Sequence, residues 1–197
     1  DAAMVDRAVT LNNLAAIEAV EGRFRRAQAL LEQAMIVFDQ AGPQQRANLV
    51  RSLDSLARMC WNLGEYQRAL TLYERALALT EATAGDDRLT LVQNLLGCAR
   101  VHVRLGNYTR ARGLFERSKK LAESVQDRRG RLLLGQVLRD FAQLLAATGD
   151  LVKAQQMSER AVSVLRSALG ERDPAVMAAT ASLAGVVELR VPLQAEE

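Results

Sequence analysis

A repeat period of about 42 residues constrains the fold of this chain more than any other feature of its sequence. Four glycines recur at that spacing, each between two segments with helix-like patterns of apolar and charged residues: Gly22, Gly64, Gly106 and Gly149. Internal repeats of about 20 to 50 residues are typical of helical solenoids. The period therefore predicts an all-α chain in which each glycine turns one helix back against the next.

Small and large side chains recur in register with these glycines. Alanine stands seven residues before and five residues after each glycine, at Ala15, Ala57, Ala99, Ala142, Ala27, Ala69, Ala111 and Ala154. Larger side chains stand eleven residues before and two residues after, at Leu11, Leu53, Leu95, Leu138, Phe24, Tyr66, Tyr108 and Leu151. Small residues allow packed helices to touch, and the large ones fill the gaps between them. Because one such unit buries only part of its apolar surface, we predict that successive units stack on a continuous core.

The pattern also predicts where the helices begin and end. First helices are expected at 5–21, 44–63, 87–105 and 128–148, second helices at 24–40, 66–82, 108–125 and 151–169, and a terminal helix at 174–190. Asp86, Asp127 and Asp173 are suited to cap helices, and Pro174 to begin the last one. Pro43 suggests an early start for the second unit, and Pro192 is expected to stop the terminal helix.

These helices give one domain of helical repeats over residues 1–197, with repeats at 5–42, 43–85, 86–127 and 128–172. The chain begins close to the first helix and without methionine, so we expect a fragment of a longer protein.

Composition excludes several classes of function. The net charge is +3, but arginines are spread over every repeat among 23 acidic residues, which does not favour nucleic-acid binding. No apolar run approaches the ~20 residues that cross a bilayer, and the first residues lack a signal-peptide pattern. We therefore expect a cytoplasmic protein without a membrane partner.

Catalytic and metal-binding patterns are missing from the sequence. It contains no Gly-rich phosphate loop, no HExxH, no GxSxG and no His/Cys cluster with metal-ligand spacing. Cys60 and Cys98 fall on inward helix faces and are expected to be reduced, structural thiols. His102, the only histidine, is expected to be packed in the core. The sequence thus predicts neither enzyme activity nor a cofactor.

Three segments resemble tetratricopeptide repeats of the 42-residue, kinesin-light-chain-like subtype. They are LNNLA at 11–15, GEYQRALTLYERALAL at 64–79 and ALGERDPAVMAATASLA at 168–184. The resemblance implies a right-handed superhelix of antiparallel helix pairs whose first helices line a concave groove for an extended peptide or a partner helix. It also implies that Asn12 and Asn13 contact a peptide backbone. Later units carry Ser55, Gly97 and Asp140 in place of Asn13.

Helical periodicity locates the exposed face of the first helices independently. At about 100° per residue, apolar residues of each first helix fall on one side and polar residues on the other. The polar side is predicted to comprise Arg51, Ser55, Arg58, Asn62, Gln93, Arg100, Arg104, Arg139 and Gln143. A strip of arginines on stacked helices would favour an acidic, extended segment, because guanidinium binds carboxylates bidentately. Alternatively, these arginines are solvated or paired with Asp54 and Asp140.

Three functions follow from this arrangement. The favoured one is a scaffold that binds a protein or peptide partner of acidic character. The second is a regulatory or sensor region of a larger bacterial enzyme or transcription regulator. The third is homodimerisation through the ends of the repeat array, where Val186, Val187, Leu189 and Val191 form an apolar surface. Trp61 either packs between repeat units or anchors a ligand.

Overall fold

The computed structural model describes residues 2–82 and 87–194, with side chains described as far as residue 189. Within these ranges the chain forms nine α-helices, one short 3-10 helix and no strand, which confirms the all-α class. The helices are α1 (Ala2–Val20), α2 (Phe24–Gln40), α3 (Arg46–Asn62), α4 (Tyr66–Glu81), α5 (Arg88–Arg104), α6 (Tyr108–Glu123), α7 (Arg128–Ala147), α8 (Leu151–Leu169) and α9 (Pro174–Gln194). A 3-10 helix at Pro43–Gln45 precedes α3, in agreement with the early start predicted from Pro43.

The helices form two compact units, Asp1–Asp87 and Arg88–Glu197. In the first unit, α1 packs on α2, α2 on α3 and α3 on α4. In the second unit, each helix from α5 to α9 likewise packs on the next, and the first helices α5 and α7 also touch each other. The division into four repeats within one domain stays a prediction.

Each predicted glycine turn has the same backbone geometry. Gly22, Gly64, Gly106 and Gly149 all adopt positive φ, between 74° and 86°. The amide after each glycine donates a hydrogen bond of 2.8 or 2.9 Å to a carbonyl five residues earlier, as in Arg23 to Glu18, Glu65 to Cys60, Asn107 to His102 and Asp150 to Leu145. This six-to-one bond satisfies a carbonyl at the helix end, and glycine permits the left-handed backbone that it needs.

The columns of small and large side chains form the cores of the two units. All eight alanines of the repeat are at most 1% exposed. Leu53, Leu95 and Leu138 are also fully buried. The column two residues after each glycine is less buried: Phe24, Tyr66 and Leu151 are half-buried, and Tyr108 is 46% exposed. Tyr108 begins α6 beside the turn, where a tyrosine hydroxyl can remain hydrated.

The helix ends agree with prediction to within two residues except in two places. Asp127 caps α7 by accepting a hydrogen bond of 2.7 Å from the Gly130 amide, and Asp173 accepts one of 2.8 Å from the Ala175 amide. The predicted cap Asp86 lies outside the described residues. Helix α1 begins at Ala2 instead of residue 5.

The predicted stop at Pro192 is wrong, because α9 continues to Gln194. Proline removes one backbone donor, but its fixed φ is compatible with a helix and the break is local. In the predicted apolar end, Val186 is buried in the core of the second unit, whereas Val187 and Leu189 are exposed. The side chain of Val191 lies outside the described residues.

Candidate peptide-binding surface

On α3, the structure separates apolar from polar residues as helical periodicity predicts. The inward residues Leu53, Leu56, Ala57 and Cys60 are fully buried. Of the predicted polar residues, Ser55 is half-buried and three are exposed: Arg51, Arg58 and Asn62. The first unit thus presents four of the predicted site residues on one face of one helix.

Both predicted site arginines of α3 already have partners on their own helix. Nε of Arg58 lies 3.4 Å from Oδ2 of Asp54, and its Nη2 donates to Oγ of Ser55 at 3.3 Å. Nη2 of Arg51 donates to Oδ1 of Asn48 at 2.6 Å. The alternative in which an arginine pairs with Asp54 is therefore observed, and this pairing reduces the net charge that the face offers to a ligand.

The two asparagines of α1 have different surroundings. Nδ2 of Asn12 donates to Oγ of Ser52 at 2.8 Å, and that hydroxyl lies 3.1 Å from Oδ1 of Asn12. Ser52 is fully buried and also donates to the carbonyl of Asn48 at 3.0 Å. Asn12 therefore links α1 to α3 within the chain. Asn13 is exposed, so its amide is accessible to a ligand.

In the second unit, the predicted residues lie on α5 and α7. Gln93, Arg104 and Gln143 are exposed, whereas Arg100 and Arg139 are half-buried. Opposite them, Leu95, Cys98, Ala99 and His102 are buried, as predicted.

Arg100 and Arg139 meet at one carboxylate. Nε of Arg100 lies 2.5 Å from Oδ2 of Asp140, and Nε of Arg139 lies 3.2 Å from Oδ1. The Asp140 side chain is 11% exposed, against 38% for Arg100 and 27% for Arg139. Pairing with Asp140 was one predicted alternative, but its sharing by two arginines was not predicted. The cluster joins α5 to α7 and carries an excess of one positive charge.

Packing within the chain accounts for the side chains of Trp61 and His102. Trp61 forms an edge-to-face contact with Tyr66, with ring centroids 5.2 Å apart, so it packs within its own helix pair. His102 is buried, and its Nδ1 lies 3.4 Å from Nδ2 of Asn107.

The two cysteines are free and buried. Burial raises the pKa of the Cys60 thiol to about 11. Its Sγ lies 3.8 Å from Nε2 of Gln28. Because the thiolate is the reactive form, Cys60 is suited to packing and not to nucleophilic chemistry.

The second helices of the first unit carry ion pairs that the sequence analysis did not predict. Three pairs connect α2 to α4 or to the residue before it: Arg25 with Glu65 at 2.5 Å, Arg68 with Glu32, and Arg75 with Asp39 at 2.7 Å. The sequence did contain a signal for these pairs, because their α2 members, Arg25, Glu32 and Asp39, stand seven residues apart along one face of the helix. In the second unit, Arg160 of α8 similarly lies 2.6 Å from Glu123 of α6.

Two features are missing from the part of the chain that the structure describes. None of its helices has the length and apolar character needed to span a membrane. It also holds no group of three or more His, Cys, Asp or Glu side chains placed to bind a metal ion.

The repeated helix pairs and their glycine turns define a helical-repeat protein, and comparison with known proteins identifies its family. The tetratricopeptide repeat model matches residues 6–82 and 46–124, which together make up more than half of the chain. The chain therefore belongs to the tetratricopeptide repeat family. A search of curated protein sequences found no match.

Solved structures with the same fold include kinesin-light-chain-like proteins. BtubC (BKLC) from P. vanneervenii matches with a TM-score of 0.79 and 21% identity, over 97% of this chain and 76% of that one. A Podosopora anserina protein described as a kinesin light chain with nearly identical TPR-like repeats matches with a TM-score of 0.79 and 20% identity, over 96% and 89%. A Rap protein complexed with Competence and Sporulation Factor matches with a TM-score of 0.71 and 14% identity, over 95% and 55%.

These matches confirm the predicted fold class and the resemblance to kinesin-light-chain-like repeats. The tetratricopeptide fold is in general a scaffold for protein interactions, and families built on it are typically non-catalytic.

Proposed function

We propose that this protein is an interaction scaffold that binds an extended, acidic segment of a partner protein along its first helices. Arg100 and Arg139 anchor a carboxylate of that segment. The observation that supports this proposal best is the sharing of Asp140 by the two guanidinium groups. One carboxylate cannot neutralise two guanidinium groups, so the cluster attracts a second anion.

The geometry of the cluster leaves donors for that anion. A guanidinium group has five N–H donors, and each arginine uses its Nε toward Asp140. The other donors lie on side chains that are about one third exposed. An incoming carboxylate can accept two parallel hydrogen bonds from such a group, in a setting less hydrated than open water.

Polar side chains on both sides of the cluster suit an extended backbone. Gln93 and Arg104 are exposed seven residues before and four residues after Arg100 on α5, and Gln143 is exposed one turn after Arg139 on α7. An amide side chain both donates and accepts, so it can pair with the N–H and C=O groups of an extended peptide. These residues define the binding surface of the second unit.

The first unit supplies a second, weaker set of contacts in this proposal. Asn13, Arg51, Ser55, Arg58 and Asn62 are its members. Asn12, whose amide is already engaged by the buried Ser52, holds α1 against α3 and does not contact the peptide itself. The Rap structure, which has this fold and is complexed with Competence and Sporulation Factor, supports the use of such repeats to hold a partner. The continuity of the arginine strip from α3 to α5, and the alternative as a regulatory or sensor region of a larger bacterial enzyme or transcription regulator, stay predictions.

Fluorescence anisotropy with a labelled glutamate-rich peptide tests the proposal. The peptide should bind, a lysine-rich peptide of equal length should not, and raising the ionic strength from about 0.1 M to about 1 M should weaken binding as the Debye length shortens from about 10 Å to about 3 Å. Joint replacement Arg100→Gln and Arg139→Gln should weaken binding about tenfold or more. Asp140→Asn removes the competing carboxylate and should strengthen binding.

The matched control is Arg75→Gln, which removes an equally ion-paired arginine from a second helix of the first unit. It should bind the peptide as the wild type does. If the double variant keeps wild-type affinity, or if Asp140→Asn binds the acidic peptide no more tightly, the arginine cluster is structural and the proposal is wrong.

A further inference from the structure

A cavity of about 470 Å³ opens in the second unit between α6 and α8, with α7 at its base. Its volume falls within the range of small-molecule sites, about 300 to 1,000 Å³. It is lined by residues of the second helices and of the inward side of α7, and it contains none of the residues of the binding surface proposed above.

The cavity lies where the first unit has an ion pair and the second does not. In the first unit, Glu32 of α2 pairs with Arg68 of α4. Glu32 stands ten residues after the turn glycine of its helix pair, and Arg68 stands four residues after the turn glycine of the next. The corresponding residues of the second unit are Glu116 of α6 and Lys153 of α8. Glu116 instead pairs with Arg112 on its own helix at 3.3 Å, and Lys153 pairs with Asp150 at 2.8 Å.

A change in one neighbouring residue accounts for this difference. Asp150 stands at the position of Glu65, whose carboxylate lies 2.5 Å from Arg25 and 3.5 Å from Arg68 in the first unit. In the second unit, the position of Arg25 is occupied by Thr109, which has no charge. Without that competitor, Asp150 lies 2.8 Å from Lys153, closer than Glu65 lies to Arg68, and Lys153 pairs with Asp150 instead of with Glu116. The space between the two helices stays open as a result.

The wall of the cavity is basic. The three lysines of the chain, Lys119, Lys120 and Lys153, all line it. Of the acidic residues in the wall, Glu116 is paired with Arg112 and Glu123 with Arg160. Among the side chains that the structure describes, in residues 2–82 and 87–189, no acidic group forms an ion pair with Lys119 or Lys120. Two ammonium groups are thus left to attract an anion.

The base of the cavity is apolar. Phe141 and Leu145 of α7 are 5% and 2% exposed, and Met157 of α8 is half-buried beside them. Phe141 is held in place by stacking on Phe115, with ring centroids 5.5 Å apart. Methionine adapts its shape easily to an apolar group. The cavity therefore combines a rigid apolar base and one adaptable side chain with a cationic rim.

We infer that this cavity binds a small amphiphilic anion, in which an apolar body rests on Phe141, Leu145 and Met157 and an acidic head group meets Lys119 and Lys120. A fatty carboxylate of medium chain length fits this description. An inorganic anion would leave the apolar base uncovered, and a neutral hydrocarbon would leave the ammonium groups without a counterion. Only a ligand with both an apolar body and an acidic head group contacts the apolar base and the cationic rim together.

The test uses anilinonaphthalene sulfonate as a fluorescent probe and decanoate as its competitor, with the folded full chain. The probe should brighten on binding, and decanoate should displace it at lower concentration than decanol or decylamine, because only decanoate supplies both the chain and the charge. The joint replacement Lys119→Gln and Lys120→Gln should weaken decanoate binding about tenfold or more. Met157→Gln replaces an apolar side chain by a polar one of nearly equal volume. It should weaken decanoate binding by making the base of the cavity less apolar.

The matched control is the joint replacement Arg7→Gln and Arg172→Gln. Like the lysine variant, it removes two positive charges, and both arginines are exposed. This control variant should bind decanoate as the wild type does. The double variant of Arg100 and Arg139 should also keep this binding, which separates the cavity from the peptide surface. Absence of decanoate binding, equal displacement by decanol, or equal affinity in the lysine variant would each overturn the inference. Binding of an acidic amphipathic peptide without binding of decanoate would also overturn it, in favour of a protein partner.

Discussion

Glu65, the residue before α4, accepts hydrogen bonds from Arg25 of α2 at 2.5 Å and from Gln28 at 3.1 Å, although these residues are 40 and 37 positions away in the chain. Burial alone would raise the pKa of Glu65, but the hydrogen bonds from Arg25 and Gln28 more than offset this effect and hold the pKa below its ordinary value. The contact fixes the second helix of one repeat to that of the next within the first unit.

The lowered pKa of Glu65 predicts a loss of stability in acid. A carboxyl group with a depressed folded-state pKa stabilises the protein fully above its ordinary pKa, about 4.3, and this stabilisation is lost as the pH falls through the folded-state value. Trp61, the only tryptophan, lies in the same unit, so its fluorescence reports unfolding there. We expect the Tm to fall less steeply below pH 5 in Glu65→Gln than in the wild type.

Glu188→Gln is the matched control for this measurement, since Glu188 is exposed on α9. It should follow the wild-type pH profile. Parallel profiles for Glu65→Gln and the wild type would show that Glu65 does not couple protonation to folding.

Asn12 and Asn13 are neighbours in sequence that should respond differently to truncation. Asn12→Ala removes a partner of the buried Ser52 hydroxyl and should lower the free energy of unfolding by about 1 to 3 kcal/mol. Asn13→Ala affects an exposed side chain and should change it by no more than about 0.5 kcal/mol. Chemical denaturation of the two variants measures the difference, and equal losses would contradict the separate roles assigned to the two residues.

The sequence predicted the helices better than it predicted the partners of charged side chains. The bounds of α2 and α8 were predicted at both ends, because buried alanines and positive-φ glycines leave few alternatives. Arg100 was placed on the correct face of α5, but the sharing of Asp140 was not predicted. A long charged side chain can reach several oppositely charged neighbours with similar free energy, so its partner depends on which other charged groups are nearby. The presence of Thr109 in one repeat at the position of Arg25 in another illustrates this dependence.

Two helical glycines of the second unit should give opposite effects when replaced by alanine. A Cβ at Gly135 of α7 would clash with the side chain of Leu165 on α8, so Gly135→Ala should destabilise by about 1 to 3 kcal/mol. A Cβ at Gly113 of α6 would meet nothing within 4 Å, so Gly113→Ala should stabilise by up to about 1 kcal/mol through helix propensity. Thermal unfolding followed by circular dichroism distinguishes these signs, and stabilisation by both variants would show that α7 and α8 are less closely packed.

Exposed apolar residues on α9 predict self-association. Met177 is 64% exposed and Leu189 58%, with Val187 exposed two residues before Leu189. Association would remove this apolar surface from water. Sedimentation velocity should therefore show a concentration-dependent dimer, which Val187→Glu with Leu189→Glu should abolish. A strictly monomeric wild type at every concentration would contradict this prediction.

Cys60 should be unreactive in the folded protein even at mildly alkaline pH. With its pKa raised to about 11, only about one thiol in a thousand is ionised at pH 8, and the side chain is fully buried. In Cys98→Ala, where Cys60 is the only thiol, Ellman's reagent should react at the rate at which the first unit opens, and at once after unfolding in guanidinium. A rapid stoichiometric reaction of the folded variant would mean that solvent reaches Cys60 without unfolding. The contact of its Sγ with Gln28, and with it the closed packing between α2 and α3, would then be wrong.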